Sequence, residues 1–280
     1  MPYPAGIDVA EHPPPGGWDD GPVVVLVHGS LDRGASFSRT VRRLADLGVV
    51  TYDRRGYQGS RPAVPPADGI GHVEDLLGVV AGLPRGHGSV VAVGHSVGGN
   101  VVLGAALADP SRFAAVGAYE PPMPWLGFRR PPSQETGGGR VGGDEGDGDQ
   151  VEWFTRRMMG DAAWERLPEP LRAARRADGP ALAQDLAALQ GPAPFDVTQL
   201  AVPSVFARGG TPSRPHHRQI VGWLAEHVPG AEMVEIEGAG HGAHLSHPDG
   251  FAELVRTTVG RAAAPAQAAA ATQPETTEGR

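Results

Sequence analysis

Short β-branched or small apolar runs alternate along this chain with segments of helical spacing, and that alternation narrows the possible folds most. The runs are Val23–Val27, Gly48–Tyr52, Val90–Val93, Ala114–Tyr119, Ser204–Ala207 and Met233–Ile236. Each is four to six residues long and bounded by Gly, Pro or charged residues, as buried strands are. Between them, Phe37–Leu47, Ile70–Leu83, Gly98–Ala108, His216–Val228 and Pro248–Val259 carry helical patterns. In the second, Val73, Leu76, Leu77 and Val80 share one face. Strands that are apolar on both faces and separated by helices predict an α/β fold: a mostly parallel sheet with helices on both sides. In such sheets the working residues lie just beyond the carboxyl ends of the strands.

Composition removes several kinds of chemistry. All 24 basic residues are Arg, so no lysine Schiff base and no P-loop lysine can form. The absence of Cys excludes a thiolate nucleophile, disulfides and cysteine-ligated metal. A net charge of −8 argues against nucleic acid or an anionic membrane as the main partner. The first twenty residues show no basic region followed by an apolar run, and no apolar stretch is long enough to span a bilayer, so a soluble cytoplasmic protein is expected. The 41 glycines and 28 prolines would suggest disorder if spread evenly, but they cluster. Pro13–Gly17, Pro131–Asp149 and Ala262–Arg280 concentrate them or look unstructured. The acidic 131–149 stretch predicts a mobile loop, and 263–280 a disordered tail.

Three strand ends carry chemistry. After Val90–Val93 comes Gly94-His95-Ser96-Val97-Gly98, a G-x-S-x-G between a strand and a helix. Small residues two places either side of Ser96 permit a sharp turn that lifts its Oγ clear of the sheet, and the Val97 N–H then opens a helix facing a developing oxyanion. The first strong strand ends in His28-Gly29-Ser30-Leu31, where a tight turn can supply a second amide, Ser30 first and Leu31 as the fallback. His28 itself reads as a structural histidine. After the last strand, Gly238-Ala239-Gly240-His241 lets a histidine reach the serine from the other side. His241, His244 and His247 also spell HxxHxxH. A strand-end loop breaks the shared helical face and no glutamate base intervenes, so no metal is expected there.

On HGS at 28–30, YDRRGYQGS at 52–60, GHSVGG at 94–99, YEPPMPW at 119–125 and GAGHGAHLSHP at 238–248, the chain resembles the small, cofactor-free serine hydrolases of the α/β-hydrolase superfamily, which include esterases and lactonases. The resemblance runs from about Val23 to Val259. It implies an eight-stranded sheet with a helical cap inserted after the sixth strand, hence a core of 1–120 and 200–262 and a cap of 121–199. Trp125, Trp153 and Phe154 of that cap are candidates for an apolar pocket. The cap arginines read as solvated helix faces.

The resemblance further implies an acyl-enzyme on Ser96, with His241 as the base and the amides of Ser30 and Val97 as the oxyanion hole. The substrate class is a small carboxylic ester, lactone or thioester with an apolar acyl group. An acyltransferase with the same machinery, or a silent ligand-binding relative, stays open, and so does the oligomeric state. Two departures stand out. Little room precedes Val23 for the usual first two strands. The loop Arg208–Pro215, where most relatives carry the acid that orients the histidine, contains no Asp or Glu. A variant arrangement in the superfamily takes it from the preceding strand end, which here is Glu120. The alternatives are that Glu120 merely anchors the cap, or that Thr211 or Ser213 orients His241.

Overall fold

The computed structural model describes residues 3–18, 21–84, 88–128 and 147–271. Its sheet has seven strands: β1 (Val9–His12), β2 (Val23–Val27), β3 (Gly48–Tyr52), β4 (Val90–His95), β5 (Ala115–Tyr119), β6 (Ser204–Gly209) and β7 (Glu232–Ile236). Their order is β1-β3-β2-β4-β5-β6-β7, with β1 antiparallel to β3 and every other pair parallel. The α/β class read from the sequence is therefore the fold observed. The strand count differs from the expected eight. The short N-terminal segment supplies one edge strand, so the helical insertion follows the fifth strand described rather than the sixth.

The helices are α1 (Ser38–Arg43), α2 (Gly69–Ala81), α3 (Val97–Ala108), α4 (Asp147–Met159), α5 (Asp161–Glu165), α6 (Glu169–Arg176), α7 (Gly179–Ala188), α8 (Pro215–His227), α9 (Ala243–Ser246) and α10 (Pro248–Ala271). Every residue of β2 is buried, because successive side chains point to opposite faces and both faces are covered. Val23, Val25 and Val27 pack with Leu76, Val102 and Leu224 of α2, α3 and α8. Val24 and Leu26 pack with Leu44, Phe251 and Val255 toward α1 and α10. At its start, α2 is capped by Asp68, whose carboxylate accepts from the amides of Ile70 and Gly71 at 3.0 and 3.3 Å. α10 runs on to Ala271, past the expected end at Val259 and into the stretch read as a disordered tail; its alanines are the best helix formers. The rest of that tail, and residues 131–146 of the expected loop, lie outside the described residues; 147–149 open α4.

Helices α4, α5 and α7 share a small core of Val151, Trp164, Ala181 and Leu182, which also takes Leu31 and Tyr57 from the sheet side. Charged side chains join the two layers. Arg54, after β3, is fully buried and pairs with Asp185 of α7, its two terminal nitrogens at 3.1 and 2.7 Å. The same carboxylate accepts from Ser30 Oγ and Tyr57 Oη, both at 2.6 Å. No helix among the described residues is long and apolar enough to cross a membrane.

Candidate active site

Ser96 joins β4 to α3 at φ 54°, ψ −127°, a conformation that L-residues rarely hold. Its surroundings impose it. A Cβ at Gly94 would lie 2.2 Å from the Gly98 carbonyl oxygen, and one at Gly98 would lie 2.2 Å from that of Val27. Only glycine at both places lets the chain fold back so tightly. The Ser96 N–H donates to the Tyr119 carbonyl at 2.9 Å, and the Gly99 N–H to that of Ser96 at 2.8 Å, which pins the turn between β5 and the first turn of α3. Four non-glycine residues have positive φ among those described: Leu31, Gln58, Ser96 and Glu120. The first three line one cleft and the fourth lies just behind it. Such strain costs about 1–3 kcal/mol per residue and persists where surrounding structure over-determines it.

Glu120 follows β5, next to β4 in the sheet, and is completely buried. Its Oε2 lies 2.8 Å from His241 Nδ1 and 2.9 Å from His217 Nδ1. Its Oε1 accepts from the Gly209 N–H at 2.8 Å and from Ser213 Oγ. The loop after β6 thus holds no acid of its own but donates to the acid of the neighbouring strand end. Burial alone would raise the Glu120 carboxyl. The hydrogen bonds and charge of His217 and His241 overcome it and hold the group well below the usual carboxylate range. With Glu120 ionised, both Nδ1 atoms carry protons, which leaves Nε2 of His241 as an acceptor. Burial, opposed by the Glu120 hydrogen bond and reinforced by His217, pushes the His241 imidazole down to about 4.

His217 is a residue the motif reading missed. The signal was present: with Ile220, Val221 and Leu224 it falls on the buried face of α8, where an imidazole requires a partner. Ser213, one of the candidates for orienting His241 directly, bonds Glu120 instead. His28 is structural as read. Its Nδ1 donates to the Gly29 carbonyl at 2.7 Å, and its Nε2 accepts from the Arg54 N–H at 2.8 Å. The HxxHxxH residues do not converge: His241 faces Glu120, His244 lies 2.9 Å from Asp32, and His247 meets Ser246 at 2.9 Å.

Ser96 and His241 line a cleft of about 700 Å³, roofed by Phe154, Met158 and Met159 of α4. Both also line a narrower apolar recess of about 80 Å³ with Val97, Met123, Trp153 and Leu186. Ser30 borders both spaces, as Phe154 does. Trp125 does not belong with Trp153 and Phe154. It sits in a 3₁₀ turn that sends its indole edge-on to Phe195, 6.3 Å between centroids, against the sheet-side core.

Residues 24–254 match the model of the Alpha/beta hydrolase family, and the chain belongs to that family. Solved structures agree on the fold. A thermophilic esterase from Thermogutta terrifontis superposes with a TM-score of 0.66 at 20% identity, over 91% of this chain and 93% of its own. The enol-lactonase from Burkholderia xenovorans LB400 gives 0.68 at 20%, over 91% and 96%. A bromoperoxidase from Bacillus anthracis gives 0.64 at 18%, over 91% and 95%. No curated protein matches the sequence.

Proposed function

We propose that this protein is a serine hydrolase of carboxylic esters, lactones or thioesters. The observation that carries the proposal is the 2.8 Å contact between Glu120 and His241 Nδ1, with His241 opening on the same cleft as Ser96. That contact fixes the histidine tautomer a serine nucleophile needs. Ser96 Oγ attacks the acyl carbon while His241 Nε2 takes its proton, and Glu120 stabilises the imidazolium formed. The amides of Val97 and Ser30 receive the oxyanion. Val97 is the first residue of α3, so its N–H has no partner within the helix and the helix dipole adds to it. The imidazolium then protonates the leaving oxygen or sulfur, and water, activated by the same histidine, releases the acid. These steps use only side chains, amides and water.

The esterase and the lactonase among the structural relatives, and the apolar recess beside Ser96, favour a small substrate with an apolar acyl group. In this reading α4–α7 form a cap over the cleft, and Trp153 and Phe154 contact the substrate. The decisive experiment is labelling with a fluorophosphonate beside assays on p-nitrophenyl esters and simple lactones. Ser96→Ala should lose both labelling and turnover, by several orders of magnitude. Full activity in that variant would overturn the proposal.

A further inference from the structure

The structure holds two compact groups of metal-ligating side chains among the described residues, and they differ in one respect. In the first, Glu120, His217 and His241 satisfy one another by hydrogen bonds. In the second, Asp32, His95 and His244 offer ligand atoms within 4.8 Å of one another, and beyond the Asp32–His244 contact of 2.9 Å none of them meets a hydrogen-bond partner. Asp32 Oδ2, His95 Nδ1 and both ring nitrogens of His244 are buried and lack a hydrogen-bond partner. His244 is 1% exposed and His95 6%. Buried polar atoms without a hydrogen bond are costly, about 1–3 kcal/mol each, and their convergence at one point calls for something shared between them.

The geometry within the group points the same way. His244 Nε2 and Asp32 Oδ2 are 2.9 Å apart, yet neither is hydrogen-bonded, so the ring nitrogen is not aimed at the oxygen. Two donor atoms in contact but aimed past each other is the arrangement of neighbouring ligands around a cation. His95 is prepared for the same role. Its Nε2 donates to the His241 carbonyl at 2.8 Å, which leaves the lone pair on Nδ1. A ligating histidine commonly holds its other nitrogen on a backbone carbonyl in this way. The remaining oxygen of Asp32 accepts from Ser36 Oγ, which orients the carboxylate.

We propose that Asp32, His95 and His244 form a binding site for one divalent transition-metal ion of the Zn²⁺ and Co²⁺ class. Two imidazoles and a carboxylate suit borderline metals far better than Mg²⁺ or Ca²⁺. All three residues border the large cleft beside Ser96 and His241. The site is separate from the HxxHxxH pattern, of which it uses only His244, and it does not depend on the hydrolase reading.

The full-length protein, stripped with chelator and dialysed, is titrated with Co²⁺ in the visible range and with Zn²⁺ by calorimetry. One equivalent should bind, with ligand-field bands of a site containing two imidazoles. Asp32→Asn and His244→Ala should each weaken binding at least tenfold, whereas Ser96→Ala and His217→Ala should keep it. Circular dichroism melts establish that the variants fold, and Asp32→Asn, which keeps the volume, carries the test if His244→Ala does not. The proposal is overturned if no saturable binding occurs, if Asp32→Asn binds as tightly as the wild type, or if His217→Ala loses the ion.

Discussion

At the scale of single residues, one buried carboxylate serves two imidazoles. Glu120→Gln keeps the shape but no longer demands a proton on both Nδ1 atoms. In steady-state assays kcat should fall about 10³–10⁴-fold with KM little changed; near-normal turnover would remove Glu120 from the mechanism. The position of His241 also predicts a pH profile. In the proposed mechanism the neutral ring is the base, so kcat/KM should fall as pH drops through its pKa, which burial has pushed down to about 4 from 6.5. The acid limb should therefore lie well below that of a free imidazole. His217 lowers His241 and shares its carboxylate. His217→Gln should move the limb upward, toward 6.5, which a purely structural role for His217 would not do.

Between elements, the strongest coupling runs from the helical insertion to the loop that carries Ser30. Asp185 of α7 takes both Arg54 nitrogens, Tyr57 Oη and Ser30 Oγ in a buried site. The loop that carries Ser30 is thus held from above. Replacing Asp185 by Asn leaves the Arg54 guanidinium buried and uncompensated, a loss of about 3–5 kcal/mol in urea unfolding. The double change Arg54→Met with Asp185→Leu should recover part of it, because both buried charges go while the buried Tyr57 hydroxyl loses its acceptor. A double variant as unstable as Asp185→Asn would mean that packing, not charge, holds this junction. Ser30→Ala keeps the amide but frees the loop, so kcat should fall modestly, by less than about tenfold.

For the whole molecule, buried histidines make folding sensitive to acid. Burial, reinforced by the Arg54 charge, lowers His28 to about 3, and burial also holds His95 well below 6.5. Below pH 6.5 the unfolded chain protonates these rings and the folded chain does not, so stability falls as pH falls. The His28 ring, neutral throughout this range, contributes a loss of about 2 kcal/mol by pH 5, and His95 adds in the same direction. Glu120 and Asp185, held low by their partners, add to the loss as pH falls below the unfolded carboxylate range. The melting temperature should therefore decline steadily from pH 7.5 to 4.5. A flat or rising curve over that interval would show that these rings are not buried neutral.

The sequence by itself determined the parallel α/β frame, since strand and helix periodicities are local and short apolar runs can be buried only between layers. It also determined the serine turn, because Gly94 and Gly98 are the residues that so tight a turn requires, and neighbours in sequence make it. The contact of Glu120 with His241 was expected from the superfamily resemblance, given a loop after β6 without Asp or Glu. What tertiary structure decided was every relation across strands. The pairing of β5 with β6 brought Gly209 and Ser213 onto Glu120, and the packing of α8 brought His217 there. The anchoring of Ser30 by a residue 155 positions away belongs to the same class. So does the turn of Trp125 onto Phe195 instead of into the cleft. Side-chain direction depends on which surfaces are left to cover, and no local pattern records that.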